Sequence, residues 1–168
     1  DAGATALDDV DGDITARIVV TGTVNTAVLG TYTLTYNVSD LAGNAAMPVT
    51  RTVHVVDAGV PVITLLGLAD LNVPLNGTYV DAGATALDDV DGDITSRIAV
   101  TGTVNTAVLG TYTLTYNVSD LAGNAAMAVT RTVHVVDAGI PVITLLGQAE
   151  LSVPLNSTYV DAGATALD

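Results

Sequence analysis

A chain of 168 residues, 49% of them hydrophobic, has ample apolar material for packed cores and does not read as a disordered tail. Eighteen acidic residues stand against four arginines and no lysine, and the net charge of −14 repels nucleic acid and anionic membranes while attracting divalent cations. No apolar run approaches the roughly 18 residues of a membrane span. Without cysteine or lysine, neither a disulfide nor a Lys–Asn isopeptide bond can staple the fold.

The chain opens on DAGATALD at 1–8, and the same residues return at 81–88 and 161–168. The period is 80. Residues 81–160 repeat 1–80 with changes only at Ala16/Ser96, Val19/Ala99, Pro48/Ala128, Val60/Ile140, Leu68/Gln148, Asp70/Glu150, Asn72/Ser152 and Gly77/Ser157. Such a period indicates stacked copies of one module. The small linker Asp57-Ala58-Gly59-Val60 before Pro61 sets the frame: residues 1–57 are a module lacking its first strands, 58–137 a complete one, and 138–168 the first strands of another. A module of about 80 residues with no Trp, no Phe and no covalent staple is marginal, so a further stabiliser would be useful.

In chain order, the complete module begins with VITLLG (62–67), a β-branched run suited to a first strand. LNVPLNG (71–77) follows, and Pro74 confines it to an edge or a bend. TYVDAGATALD (78–88) reads as the next strand, ended by the acidic turn DDVDGD (88–93); ITSRIAVTGTV (94–104) reads as the third main strand. In TYTLTYNV (111–118), Tyr112, Leu114, Tyr116 and Val118 alternate with polar residues, a period of two with one buried face. DLAGN (120–124) is a turn, and AVTRTVHVV (128–136) is the last strand. No helical period is present. The expected fold is all-β, a two-sheet Greek-key sandwich of Ig-like type, with Tyr32 and Tyr112 in the position of a tyrosine corner.

The sequence PVITLLG…TYVDAGATALDDVDGDIT…GTYTLTYNVSDLAGNAA…VTRTVHVVD resembles the Ig-like repeats of bacterial surface proteins. That family is also found in a pesticidal crystal toxin and is related to hyalin repeats. The resemblance covers a whole period and rests on D-G-D-I-T, then G-T-Y-x-x-x-Y, then D-x-x-G-N. It implies a spacer or adhesive module, usually in tandem, in secreted or surface-anchored proteins, with no catalytic activity.

Asp88, Asp89, Asp91 and Asp93 crowd one turn, as do Asp8, Asp9, Asp11 and Asp13 in the first copy. Their mutual repulsion is relieved by water or by a cation, and calcium takes six to eight such oxygens. The spacing is not that of an EF-hand, since the glycine and glutamate it requires are replaced by Ile94 and Val100. In an Ig-like strand order the acidic turn and the DLAGN turn lie at the end where the first strand enters. Asp40 and Asn44, or Asp120 and Asn124, would therefore gather near the acidic turn, with Asp57 or Asp137 from the preceding module's exit. The alternative is a solvated turn whose aspartates bond nearby backbone N–H groups while Gly92 takes a positive φ.

Other candidates read as structural. His54 and His134 stand alone on the last strand, without the convergent ligands of a transition-metal site. Arg51 and Arg131 share the apolar face of that strand, so either a bulge breaks the alternation or the guanidinium reaches an edge carboxylate. Ser39 and Ser119 have no histidine positioned to activate them, and no nucleophile or phosphate-loop motif occurs. The leading expectation is an extracellular or cell-surface spacer, stalk or filament module of an adhesin-like array, with junctions rigidified by calcium. Its partners would be neighbouring repeats or like chains, with no nucleic acid and no membrane insertion. A module that binds surface glycan or protein is the alternative. The displaced frame fits a window from a longer array, the simpler account, or a self-complementing filament in which one chain's tail completes the next chain's head by strand addition.

Overall fold

Threonine-rich alternating strands form the centre of the larger sheet in each unit, exposing threonine on one face as their period of two requires. The computed structural model describes residues 1–168 and divides into two units, Asp1–Gly59 and Val60–Asp168. In the first unit, β1 (Leu7–Asp8) pairs with β2 (Gly12–Asp13). After a 3₁₀ turn at Thr15–Arg17, β3 (Val19–Thr21), β4 (Gly30–Asn37) and β5 (Val49–Val55) form an antiparallel sheet in that order, with β5 at its edge.

The second unit carries the same elements and more. In chain order they are β6 (Val62–Leu65), β7 (Asp70–Pro74), β8 (Ala84–Asp88), β9 (Gly92–Asp93), β10 (Ala99–Thr101), β11 (Gly110–Asn117) and β12 (Val129–Val136). They make two sheets, β6-β8-β9 and β10-β11-β12-β7. All pairings are antiparallel except that of β7 with β12, which is parallel from Thr132↔Asp70 to Val136↔Pro74. Ile63, Ala84 and Ala86 of the smaller sheet pack with Ile94 against Leu114, Tyr116 and Val118 of the larger. The result is an Ig-like sandwich with its core between the sheets. Beyond it, β13 (Val142–Leu145) pairs with β14 (Ala164–Leu167), a copy of the β6–β8 pairing, and Ile143 there is 73% exposed.

Two of the expected strands are shorter in the structure. The ladder of the 78–88 segment starts only at Ala84, after Gly83 at φ 77°. The 94–104 segment is not one strand: it is a 3₁₀ turn at Thr95–Arg97, then the three residues of β10. The ladder stops at Gly102, whose φ is 96° and where a Cβ would lie 2.2 Å from the Thr113 carbonyl oxygen.

No bulge interrupts β12, which pairs with β11 in continuous register from Gly110↔Val135 to Tyr116↔Val129. Arg131 therefore points into the sandwich beside Val133 and Val135 and is 1% exposed. Its guanidinium pairs with the Asp81 carboxylate and donates to the carbonyls of Leu66, Leu68 and Gly83. It also lies 5.6 Å from the centroid of the Tyr116 ring, whose hydroxyl donates to the same Asp81. The strand thus carries its charge inside by giving each guanidinium nitrogen an acceptor.

Candidate cation site at the acidic turn

The DDVDGD turn is built by its own carboxylates. Asp88 Oδ1 accepts the N–H groups of Val90 and Asp91, both at 2.9 Å, and Asp8 does the same for Val10 and Asp11. Gly12 and Gly92 sit at φ 72°, the left-handed conformation that the turn needs. Asp93 accepts the Thr95 N–H at 2.9 Å, and Asp13 accepts that of Thr15. Hydrogen bonds from the threonine side chain, then from its backbone N–H, hold both carboxyls below the usual aspartate range.

The DLAGN turn folds by the same chemistry. Asp120 Oδ1 accepts from the backbone of Gly123 (2.6 Å) and Asn124 (2.7 Å), while Oδ2 accepts from the Asn124 side-chain amide. Burial pushes the Asp120 pKa up, but these bonds outweigh it and the net shift is downward. Asp40 is held low chiefly by the Asn44 side chain and backbone.

The two turns meet. Asp91 Oδ2 accepts the Leu121 N–H at 2.6 Å, and Asp11 likewise accepts that of Leu41. Arg97 donates to the Asp120 carbonyl at 2.9 Å, and Arg17 donates to the carbonyls of Ser39 and Asp40. These arginines and Thr15 and Thr95 have structural roles that the sequence reading did not assign; the D-I-T-x-R spacing they share was the available signal.

Within the second unit, carboxylate oxygens of Asp88 and Asp120 lie within 4.8 Å of each other. Both residues are buried, Asp88 at 8% exposure and Asp120 at 2%. Asp88 Oδ2 is shielded from solvent and has no hydrogen-bond partner. Two carboxylates this close repel, and a buried oxygen without a donor is the atom a cation would take. Asp9, Asp13, Asp89, Asp93 and Asp137 are exposed, and Asp57 and Asp137 each accept a backbone N–H two residues on, from Gly59 and Gly139. Tyr32 and Tyr112 donate to the carbonyls four residues upstream, Val28 and Val108, at 2.9 Å. His54 and His134 bond Thr31 and Thr111 across the strands, and His134 also faces Asp70 at 3.2 Å.

Fold and turns together define an Ig-like β-sandwich domain. The chain belongs to the family of bacterial surface protein Ig-like domains, whose sequence model matches residues 1–55 and 63–135. It is 35% identical over 127 residues to an uncharacterized 81.3 kDa protein of Acholeplasma phage L2, covering 71% of this chain and 16% of that protein. Among solved structures, it is similar to a lipoprotein of Bacteroides thetaiotaomicron (26% identity, TM-score 0.43, 48% of this chain and 39% of that one). It is also similar to a structure of CBM51-2 in complex with GlcNAc and INT domains from Clostridium perfringens ZmpB (25% identity, TM-score 0.38, 53% of this chain and 21% of that one). No helix is long and apolar enough to cross a membrane.

Proposed function

We propose that this chain is a non-catalytic, load-bearing spacer of a bacterial surface protein. The parallel pairing of β7 with β12 carries the reading. Tension enters the second unit through β6 and β7 and leaves from the C-terminal end of β12. Parallel neighbours pulled from opposite ends are loaded in shear, so their five register pairs resist together rather than unzipping singly. Arg131 adds a tie, because it bonds β12 to the carbonyls of Leu66 and Leu68 just before β7. Exposed aromatic platforms for a glycan find less support: Tyr116 is fully buried, Tyr112 half-buried, and Tyr159 alone is markedly exposed, at 53%. Stretching the full chain by its ends should give an abrupt rupture for the second unit, at lower force in Arg131→Ala. Smooth extension without a rupture would overturn the spacer reading.

Calcium at the acidic turn is the second part of the proposal, carried by the buried, partnerless Asp88 Oδ2. The ion would take that oxygen and the Asp120 carboxylate, with water and backbone oxygens completing its shell. Ligand that binds only the folded state stabilises it by about 2.7 kcal/mol at a hundredfold excess over Kd. Thermal melts in millimolar calcium should exceed those in EDTA. Asp88→Asn, which keeps the turn's Oδ1 acceptor, should lose the calcium increment and match or exceed the parent in EDTA. Superimposable melts of the parent with calcium and with EDTA would refute the site.

A further inference from the structure

We propose that Tyr79 and Tyr116 are the site of an oxidative crosslink, a carbon–carbon bond between their phenol rings that staples the second unit. The chain has no cysteine and no lysine, so neither a disulfide nor a Lys–Asn isopeptide bond can tie its strands. A small sandwich without Trp or Phe is a fold to which a covalent tie adds much. Tyrosine pairs offer another route to one, because one-electron oxidation joins phenols directly.

The two phenols converge on one acceptor. Tyr116, near the end of β11, donates to Asp81, with Oδ1 at 2.6 Å and Oδ2 at 2.8 Å. Tyr79, two residues before Asp81 in the segment that links β7 to β8, donates to the same Oδ1 at 3.2 Å. Its ring packs against the core cluster that contains Tyr116. Burial, and after it the nearness of Tyr79, raises the Tyr116 pKa. Oxidative coupling joins the ring carbons next to each hydroxyl. In the resulting biphenol the two hydroxyls stand side by side and can both donate to a single oxygen. The folded chain already holds the hydroxyls as the product would, which makes the coupling a step within one molecule rather than an encounter.

The same carboxylate provides a path for the protons. A buried phenol must lose its proton along with its electron, since an unpaired charge is costly in an apolar core, and Asp81 is within hydrogen-bond reach of both hydroxyls. The Arg131 guanidinium, 5.6 Å from the centroid of the Tyr116 ring, opposes removal of an electron there. The half-buried Tyr79 is therefore oxidised first. Its radical takes an electron from Tyr116 while a proton crosses through Asp81, and a second oxidation of Tyr79 completes the radical pair. The radicals join at the carbons beside the hydroxyls, and the two displaced ring hydrogens move to the oxygens. Two equivalents of a one-electron oxidant are reduced, two protons leave through Asp81, which is 28% exposed, and one C–C bond replaces two C–H bonds. The bond ties the approach to β8 to strand β11. It closes residues 80–115 into a loop and restrains the unfolded chain as a disulfide of that span does.

The test oxidises the full chain at micromolar concentration with photo-oxidised tris(bipyridine)ruthenium and persulfate. The chain should become lighter by two hydrogens without doubling in mass, and should acquire the blue fluorescence of a biphenol. Peptide mapping should join the Tyr79 peptide to the Tyr116 peptide. Tyr79→Phe and Tyr116→Phe should each lose that linked pair, and so should the parent when it is oxidised in concentrated urea, where the phenols part. The crosslinked chain should unfold at a higher urea concentration than the untreated one, a shift absent from oxidised Tyr79→Phe. Absence of a link between Tyr79 and Tyr116 would overturn the proposal, as would links only between chains or a link formed equally well in urea. A crosslink that leaves the urea midpoint unmoved would overturn its role as a staple.

Discussion

Arg51 and Arg131 are the same residue in the same strand sequence, and their surroundings alone separate them. Arg131→Met leaves the carbonyls of Leu66, Leu68 and Gly83 without their donor and Asp81 without its cation, a loss of the 3–5 kcal/mol kind. Arg51→Met breaks a pair exposed by about a third on each side, worth at most about 1 kcal/mol. Denaturant unfolding of the two variants should show that inequality. Titration acts at the same scale. Burial, then the neighbouring Tyr79, raises the Tyr116 pKa above its ordinary 10.0. The folded state therefore holds that proton more tightly, so the contribution is complete below pH 10.0 and lost as pH rises through the folded value. Asp13 and Asp93 have the opposite sign: lowered from 3.8, they stabilise above that pH and lose the contribution as acid reaches their folded values. Melting temperature should fall at both ends, with the alkaline limb flatter in Tyr116→Phe and the acid limb flatter in Asp13→Asn/Asp93→Asn. Of these roles, the sequence exposed the awkward arginine but not its partner, because Asp81 lies 50 residues away and only tertiary packing joins them.

At the scale of elements, strict alternation was a reliable guide and residue type was not. TYTLTYNV became β11 almost residue for residue, because each Thr faces out and each apolar residue faces the core. ITSRIAVTGTV is equally β-prone, yet only Ala99–Thr101 is a strand and the rest is a 3₁₀ turn and irregular chain. There the backbone is dictated by Thr95, whose hydroxyl accepts the Ala86 N–H, and by Gly102, pressed against the Thr113 carbonyl. Both constraints come from neighbouring strands and leave little trace in a local pattern. The acidic turn was legible as a cluster of charge, but its contact with the DLAGN turn depends on the pairing of strands far apart in sequence. Glycine substitutions separate the local from the tertiary constraint. Gly92→Ala meets nothing within 4 Å and should cost about 1 kcal/mol, the penalty of a left-handed backbone alone. Gly102→Ala places a Cβ 2.2 Å from a backbone oxygen and should cost appreciably more, about 3 kcal/mol or beyond. Urea unfolding of the two variants measures the difference; equal costs would mean that β10 gives way without loss.

For the whole molecule, the net charge of −14 acts on the folded state itself. Eighteen acidic residues against four arginines repel one another most when the chain is compact, and the repulsion lowers its stability. The burial of Ile63, Ala86, Leu114 and Tyr116 that opposes it is apolar and insensitive to screening. Screening lengths fall from about 30 Å at 0.01 M salt to about 10 Å at 0.1 M, so the repulsion fades over that range. The folded state should therefore gain stability as salt rises. Urea unfolding across a sodium chloride series would measure it. A loss of stability with salt would mean that ion pairs such as Arg131 with Asp81 outweigh the repulsion.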